Sequence, residues 1–113
     1  MSWSIGYSDG AANAYHFRRD EDGAHFAYDP VTPEQSSTGR YSGGDPRSGR
    51  LDAEKLAELW AHVRALEANT ALHGEDRNKG TGAFHVVEGS STRRFIISRG
   101  PELAAFDSFV ASL

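Results

Sequence analysis

The feature that most constrains this chain is a period of two in its first 28 residues. Trp3, Ile5 and Tyr7 alternate with Ser4, Gly6 and Ser8; Tyr15 and Phe17 alternate with His16 and Arg18; Phe26 and Tyr28 alternate with His25 and Ala27. Successive side chains of a strand point to opposite faces, so these seven apolar residues, mostly aromatic, must share one face of a sheet. The opposite face then carries Ala14, His16, Arg18, His25 and Ala27, a composition suited to solvent. Asp20-Glu21-Asp22-Gly23 separates the second and third segments and reads as a hairpin turn. Centring it on Asp22-Gly23 sets Phe17 opposite Tyr28 and lets Asp29 face His16. Centring it on Glu21-Asp22 sets Phe17 opposite Phe26. A slip of two residues preserves parity, so the aromatic face survives either choice.

A face of that size needs a cover, and the rest of the chain supplies one. Leu56, Leu59, Trp60, Val63 and Leu66 recur at helical spacing and predict a helix from Ala53 to Ala68. Asp52 is its N-cap, Leu51 and Leu56 fit a hydrophobic staple, and Asn69 is the terminator. Gly100-Pro101-Glu102 opens a second helix of about 12 residues, with Leu103, Phe106, Val110 and Leu113 on one stripe; at that length it must dock to persist. Between the helices, Ala83–Val87 and Thr92–Ser98 form another hairpin around Glu88-Gly89-Ser90-Ser91. A weak strand is expected at Ser37–Ser42, anchored by Tyr41. Residues 39–50 and 70–81, rich in glycine and polar side chains, read as loops. The order β-β-β-(β)-α-β-β-α predicts one α+β domain over residues 1–113. It is a two-layer sandwich in which an antiparallel sheet carries both helices on one face.

Composition enters mainly by exclusion. The chain has 113 residues and no cysteine, which removes disulfides, thiolate metal sites and a cysteine nucleophile. Twelve basic and sixteen acidic side chains give a net charge of −4, evenly mixed along the sequence. Residues 1–50 hold five basic and seven acidic groups, and the remainder hold seven and nine. A nucleic-acid binder needs a clustered positive footprint, and no such run exists here. The N-terminus shows neither a basic leader nor an apolar h-region, and no apolar run approaches the roughly 20 residues of a membrane span. A cytoplasmic protein is the expectation.

No catalytic motif stands out, and neither a metal nor a cofactor is expected. His16, His25 and Asp29 form a three-ligand cluster only in the Asp22-Gly23 register, so surface histidines are the simpler reading. His62, one turn from Glu58, reads as a solvated pair, and His85 needs a hydrogen-bond partner if its face is covered. Tyr7, Tyr28 and Tyr41 are candidates for the rim of the core, where a hydroxyl reaches water. Gly44-Asp45-Pro46-Arg47-Ser48-Gly49-Arg50 resembles a phosphate loop only in its glycine spacing, although it feeds a helix N-terminus where anions are favoured. Two functions follow. The first is a non-catalytic protein-interaction module of inhibitor, immunity or adaptor type. It would use the loop 38–50 (Arg40, Tyr41, Arg47, Arg50) and the polar sheet face (His16, Arg18, His25), with homodimerisation through an edge strand as a further possibility. The second is a small-molecule or anion-binding domain centred on Arg47, Arg50 and the N-terminus of the first helix.

Overall fold

The computed structural model describes residues 2–36, 39–77 and 79–113. The strands are β1 Trp3–Ser8, β2 Ala14–Asp20, β3 Gly23–Asp29 and β4 Arg47–Arg50, then β5 His73–Gly74, β6 Gly82–Glu88 and β7 Ser91–Ile97. The helices are α1 Ala53–Ala68 and α2 Pro101–Ala111, with a 3₁₀ turn at Thr70–Leu72. All seven strands form one antiparallel sheet in the order β4-β3-β2-β1-β6-β7-β5. The α+β architecture expected from the sequence is present, with β1 at its centre.

Parity organises everything else. In β1 to β3, Ile5, Tyr7, Tyr15, Phe17, Phe26 and Tyr28 are buried, and β6 and β7 add Phe84, Val86, Phe95 and Ile97 to the same layer. Leu59, Val63 and Leu66 of α1 and Leu103, Phe106, Phe109 and Val110 of α2 close over it. Phe106 stands edge-on to Tyr7, with centroids 4.8 Å apart, and packs on Phe84 at 5.1 Å. These offset and edge-to-face contacts add to the burial of apolar area. Asp52 caps α1 as expected, accepting from the Lys55 N–H at 2.8 Å.

The hairpin between β2 and β3 takes the Glu21-Asp22 register: Asp20 pairs with Gly23 and Phe17 with Phe26. Gly23 sits at φ +121°, a backbone that glycine alone adopts readily. His16 therefore lies opposite Ala27, while Asp29 lies opposite Ala14. The three-ligand cluster of the other register does not form, and no metal-holding group of three is present among the described residues.

The fourth strand is not where the sequence suggested. Ser37 and Thr38 lie outside the described residues, and 39–46 carry no strand. Gly39 and Gly44 are at φ +71° and +96°, which breaks extended pairing. The strand is Arg47–Arg50, read earlier as loop; Gly49 lets it pass over Phe26, whose ring would lie 3.1 Å from an added Cβ. A two-residue strand, β5, also lies within the expected loop 70–81. His62 is not a solvated partner of Glu58: its ring stacks on Phe109 at 5.1 Å. Of the three tyrosines placed at the rim, only Tyr41 is exposed, at 39%, against 2% for Tyr7 and 7% for Tyr28.

At the β6–β7 end, Arg93 joins the layers by bonding Glu67 of α1 at 2.5 Å and Glu88 at 2.6 Å. Arg64 reaches Glu88 at 3.4 Å and lies over the Trp60 ring. The Arg93 hydrogen bond is the main reason the Glu88 carboxyl is held below its ordinary 4.5. A lowered carboxyl contributes stability in full above that ordinary value and loses it as pH falls through the lowered one. Glu88→Gln should therefore be less stable than wild type by up to about 1 kcal/mol at pH 7. Urea unfolding should show this gap narrowing at pH 3; a pH-independent gap would refute the assignment.

Candidate functional site

Because the helices cover only one face, the other face of the sheet is open. Its outward residues are set by register. Arg50, His25, Arg18, Ser4, Val87 and Thr92 form one row across the strands, and Ser48, Ala27, His16, Gly6, His85 and Arg94 form the next. The central strand thus contributes only Ser4, Gly6 and Ser8, so the middle of the face is low and the cations stand on either side.

On the β2–β4 side, His16, Arg18, His25, Ser48 and Arg50 converge on a cleft of about 400 Å³. Four of the seven residues singled out from the sequence meet here. Arg18 pairs with Asp20 at 3.3 Å, and His25 Nε2 lies 3.4 Å from the same carboxylate. The Asp20 carboxyl is held below its ordinary value, first by the Asp22 backbone N–H it accepts and then by these two neighbours. Arg50 donates to the Asp22 carbonyl, tying the cleft's outer strand to the hairpin turn. Both arginines are thus tied to the β2–β3 turn, and both are exposed.

The remaining three lie elsewhere and do not line that cleft. Arg47 reaches the helix layer: it donates to the Leu113 and Val110 carbonyls at 3.3 and 3.1 Å, and its guanidinium lies 4.6 Å from the Tyr28 ring centre. A cation at a helix C-terminus and over an aromatic face is a stabilising arrangement. Arg47 and Arg50 are thus both turned away from the N-terminus of α1, and Asp52 already bonds a free N–H there. Arg40 and Tyr41 are exposed on the β3–β4 loop.

That loop is anchored on a residue the sequence reading missed. Asn13, 4% exposed, donates to Asp9 Oδ2 and to the Tyr41 hydroxyl, and its Oδ1 accepts from Val31 N–H at 2.9 Å. Tyr28 donates to the Gly43 carbonyl at 2.6 Å, and any side chain at Gly43 would run into Asn13. No periodicity marks such a residue. A second unforeseen pair is Tyr7, donating to Asp107 of α2. Burial is the main force raising both groups above their ordinary values.

Comparison with known proteins returned no matching family model and no matching curated sequence. Function must therefore be argued from the site itself.

Asn13→Ala should unfold at lower denaturant, by about 1–3 kcal/mol, because it removes three part-buried hydrogen bonds at once. Hydrogen exchange should show the Val31 and Gly43 amides losing protection while β1 and β6 keep theirs. Unchanged exchange at those two amides would refute the anchoring role.

Proposed function

We propose that this domain is a non-catalytic protein-interaction module that binds an acidic surface of another protein on its uncovered sheet face. The observation that carries this reading is a separation of charge that the sequence order conceals. The helices with the Asp52 cap hold six carboxylates (Asp52, Glu54, Glu58, Glu67, Glu102, Asp107) against Lys55 and Arg64. The open face presents Arg18, Arg50 and Arg94 with three histidines, and its carboxylates, Asp20, Asp29 and Glu75, stand at or just beyond strand ends. On a chain of net charge −4, a cationic face is complementary to an acidic partner.

The setting we propose is cytoplasmic, and other features support a protein as the partner. Among the described residues the open face carries no Phe, Tyr or Trp side chain for a base to stack on, unlike single-strand nucleic-acid platforms. Pairing of two copies at an edge is poorly served, since the edge strands have four and two residues. Stacking two copies face to face would oppose like charges. Of the loop 38–50, Arg50 belongs to this surface, whereas Arg47 supports the fold. A second reading, capture of a small anion, draws support from the convergence of His16, Arg18, His25 and Arg50 on a cleft of about 400 Å³; the site then lies on the sheet instead of the helix terminus.

Affinity capture with wild type, Arg18→Ser/Arg50→Ser and Asp20→Asn, followed by hydrogen exchange on the purified pair, tests the proposal. The double variant should lose an acidic partner, and Asp20→Asn, which releases Arg18 and His25, should bind it more tightly. Protection should fall on β2, β3 and β4. Protection confined to the helices, or full retention by the double variant, would refute it. Thermal shift with phosphate, citrate and nucleotides, abolished in the double variant, is the signature of the second reading.

A further inference from the structure

The cationic face has a second anchor beyond the cleft, on the other side of β1. Ala83, His85, Arg94 and Ile96 line a groove of about 490 Å³ together with Gly74 and Glu75. His85 and Arg94 are direct cross-strand partners in it. Arg94 is exposed and makes no ion pair among the described residues, although Glu75 lines the same groove. His85 Nε2 is the one buried side-chain polar atom, among the described residues, that lacks a hydrogen-bond partner. Buried polar groups are nearly always paired, so this ring holds hydrogen-bonding capacity that the fold itself does not use. Between the two anchors β1 contributes only the short Ser4, Gly6 and Ser8, and β6 adds Val87 beside Ser4. A main chain can approach such a floor closely.

Register fixes the spacing. Arg18 on β2 and Arg94 on β7 are three strand spacings apart, about 14 Å across the sheet, and two residues, about 7 Å, apart along it. The two cations are therefore about 16 Å apart, the span of about five residues of extended chain at about 3.3 Å each. Resting on the reading that this face binds an acidic protein, we infer that the occupant is an extended segment crossing the strands. It carries two carboxylates about five residues apart: one enters the Arg18–His25–Arg50 cleft and the other the His85–Arg94 groove. His85 and Arg94 thereby join the binding surface, and the small column of β1 is the track between the anchors.

The test uses the full chain and capped nine-residue Gly/Ser peptides, read by amide chemical-shift mapping at moderate ionic strength. One peptide carries Glu at positions 3 and 8, one carries Glu at position 3 alone, and one carries adjacent glutamates at 5 and 6. The spaced pair should shift amides in both β2–β4 and β6–β7 and bind about two- to fivefold more tightly than the single-Glu peptide, the range expected of one added exposed ion pair. Arg94→Ser, on a solvent-facing position, should erase that gain and leave the single-Glu peptide unaffected. Equal affinity of the spaced and adjacent pairs, or shifts confined to β2–β4 in wild type and Arg94→Ser alike, would overturn the second anchor and leave the first cleft standing. Absence of any shift on the face with all three peptides would overturn both this inference and the acidic-partner reading.

Discussion

The structure depends on the two-fold alternation of its strands. Once Trp3, Ile5, Tyr7, Tyr15, Phe17, Phe26 and Tyr28 are committed to one face, that face must be covered, and both helices are recruited to it. The same commitment forces the intervening residues outward. Ser4, Gly6, His16, Arg18 and His25 are exposed to the open side because their neighbours are in the core. A surface with a cationic border and a low centre thus follows from core formation, without any local motif.

Charge shows the same logic. Along the sequence, acids and bases alternate so evenly that no basic tract is visible. In three dimensions, parity and helical phase sort them. Arg18, Arg50 and Arg94 come from three separate strands and share the open face, while most helical charge is acidic and lies on the other side. A count by sequence halves averages over this sorting, because neighbouring residues of a strand belong to opposite surfaces.

Much of the fold was legible for the same reason. The alternating aromatics named the inner face whichever hairpin register held, and the helical stripes named their cover. The Phe17–Phe26 register itself was not decidable, because both turns preserve parity. β4 was missed because Arg47-Ser48-Gly49-Arg50 has no apolar alternation: its inward positions are Arg47, serving α2, and Gly49, yielding to Phe26. β5 is too short for any periodicity. Among the residues lining the cleft, His16, Arg18 and His25 followed from outward parity and Arg50 from the loop. Arg47 looked equivalent to Arg50 in sequence, yet it points to the opposite layer. Asn13 bonds Tyr41, 28 residues away, a contact that no local pattern encodes, whereas His85 and Arg94 are partners in the hairpin expected around Glu88-Gly89-Ser90-Ser91.

On the proposed reading, this fold sorts its charge so that the open face is less negative than the helical layer. The most direct measurement is the local electrostatic potential at backbone amides, from paramagnetic relaxation by otherwise matched cationic and anionic cosolutes. The account predicts a higher ratio of anionic to cationic relaxation at Gly6, His16, Arg18, His85 and Arg94 than at Glu54, Glu58 and Glu102. A uniformly negative potential over both layers, as the net charge alone would give, would contradict it.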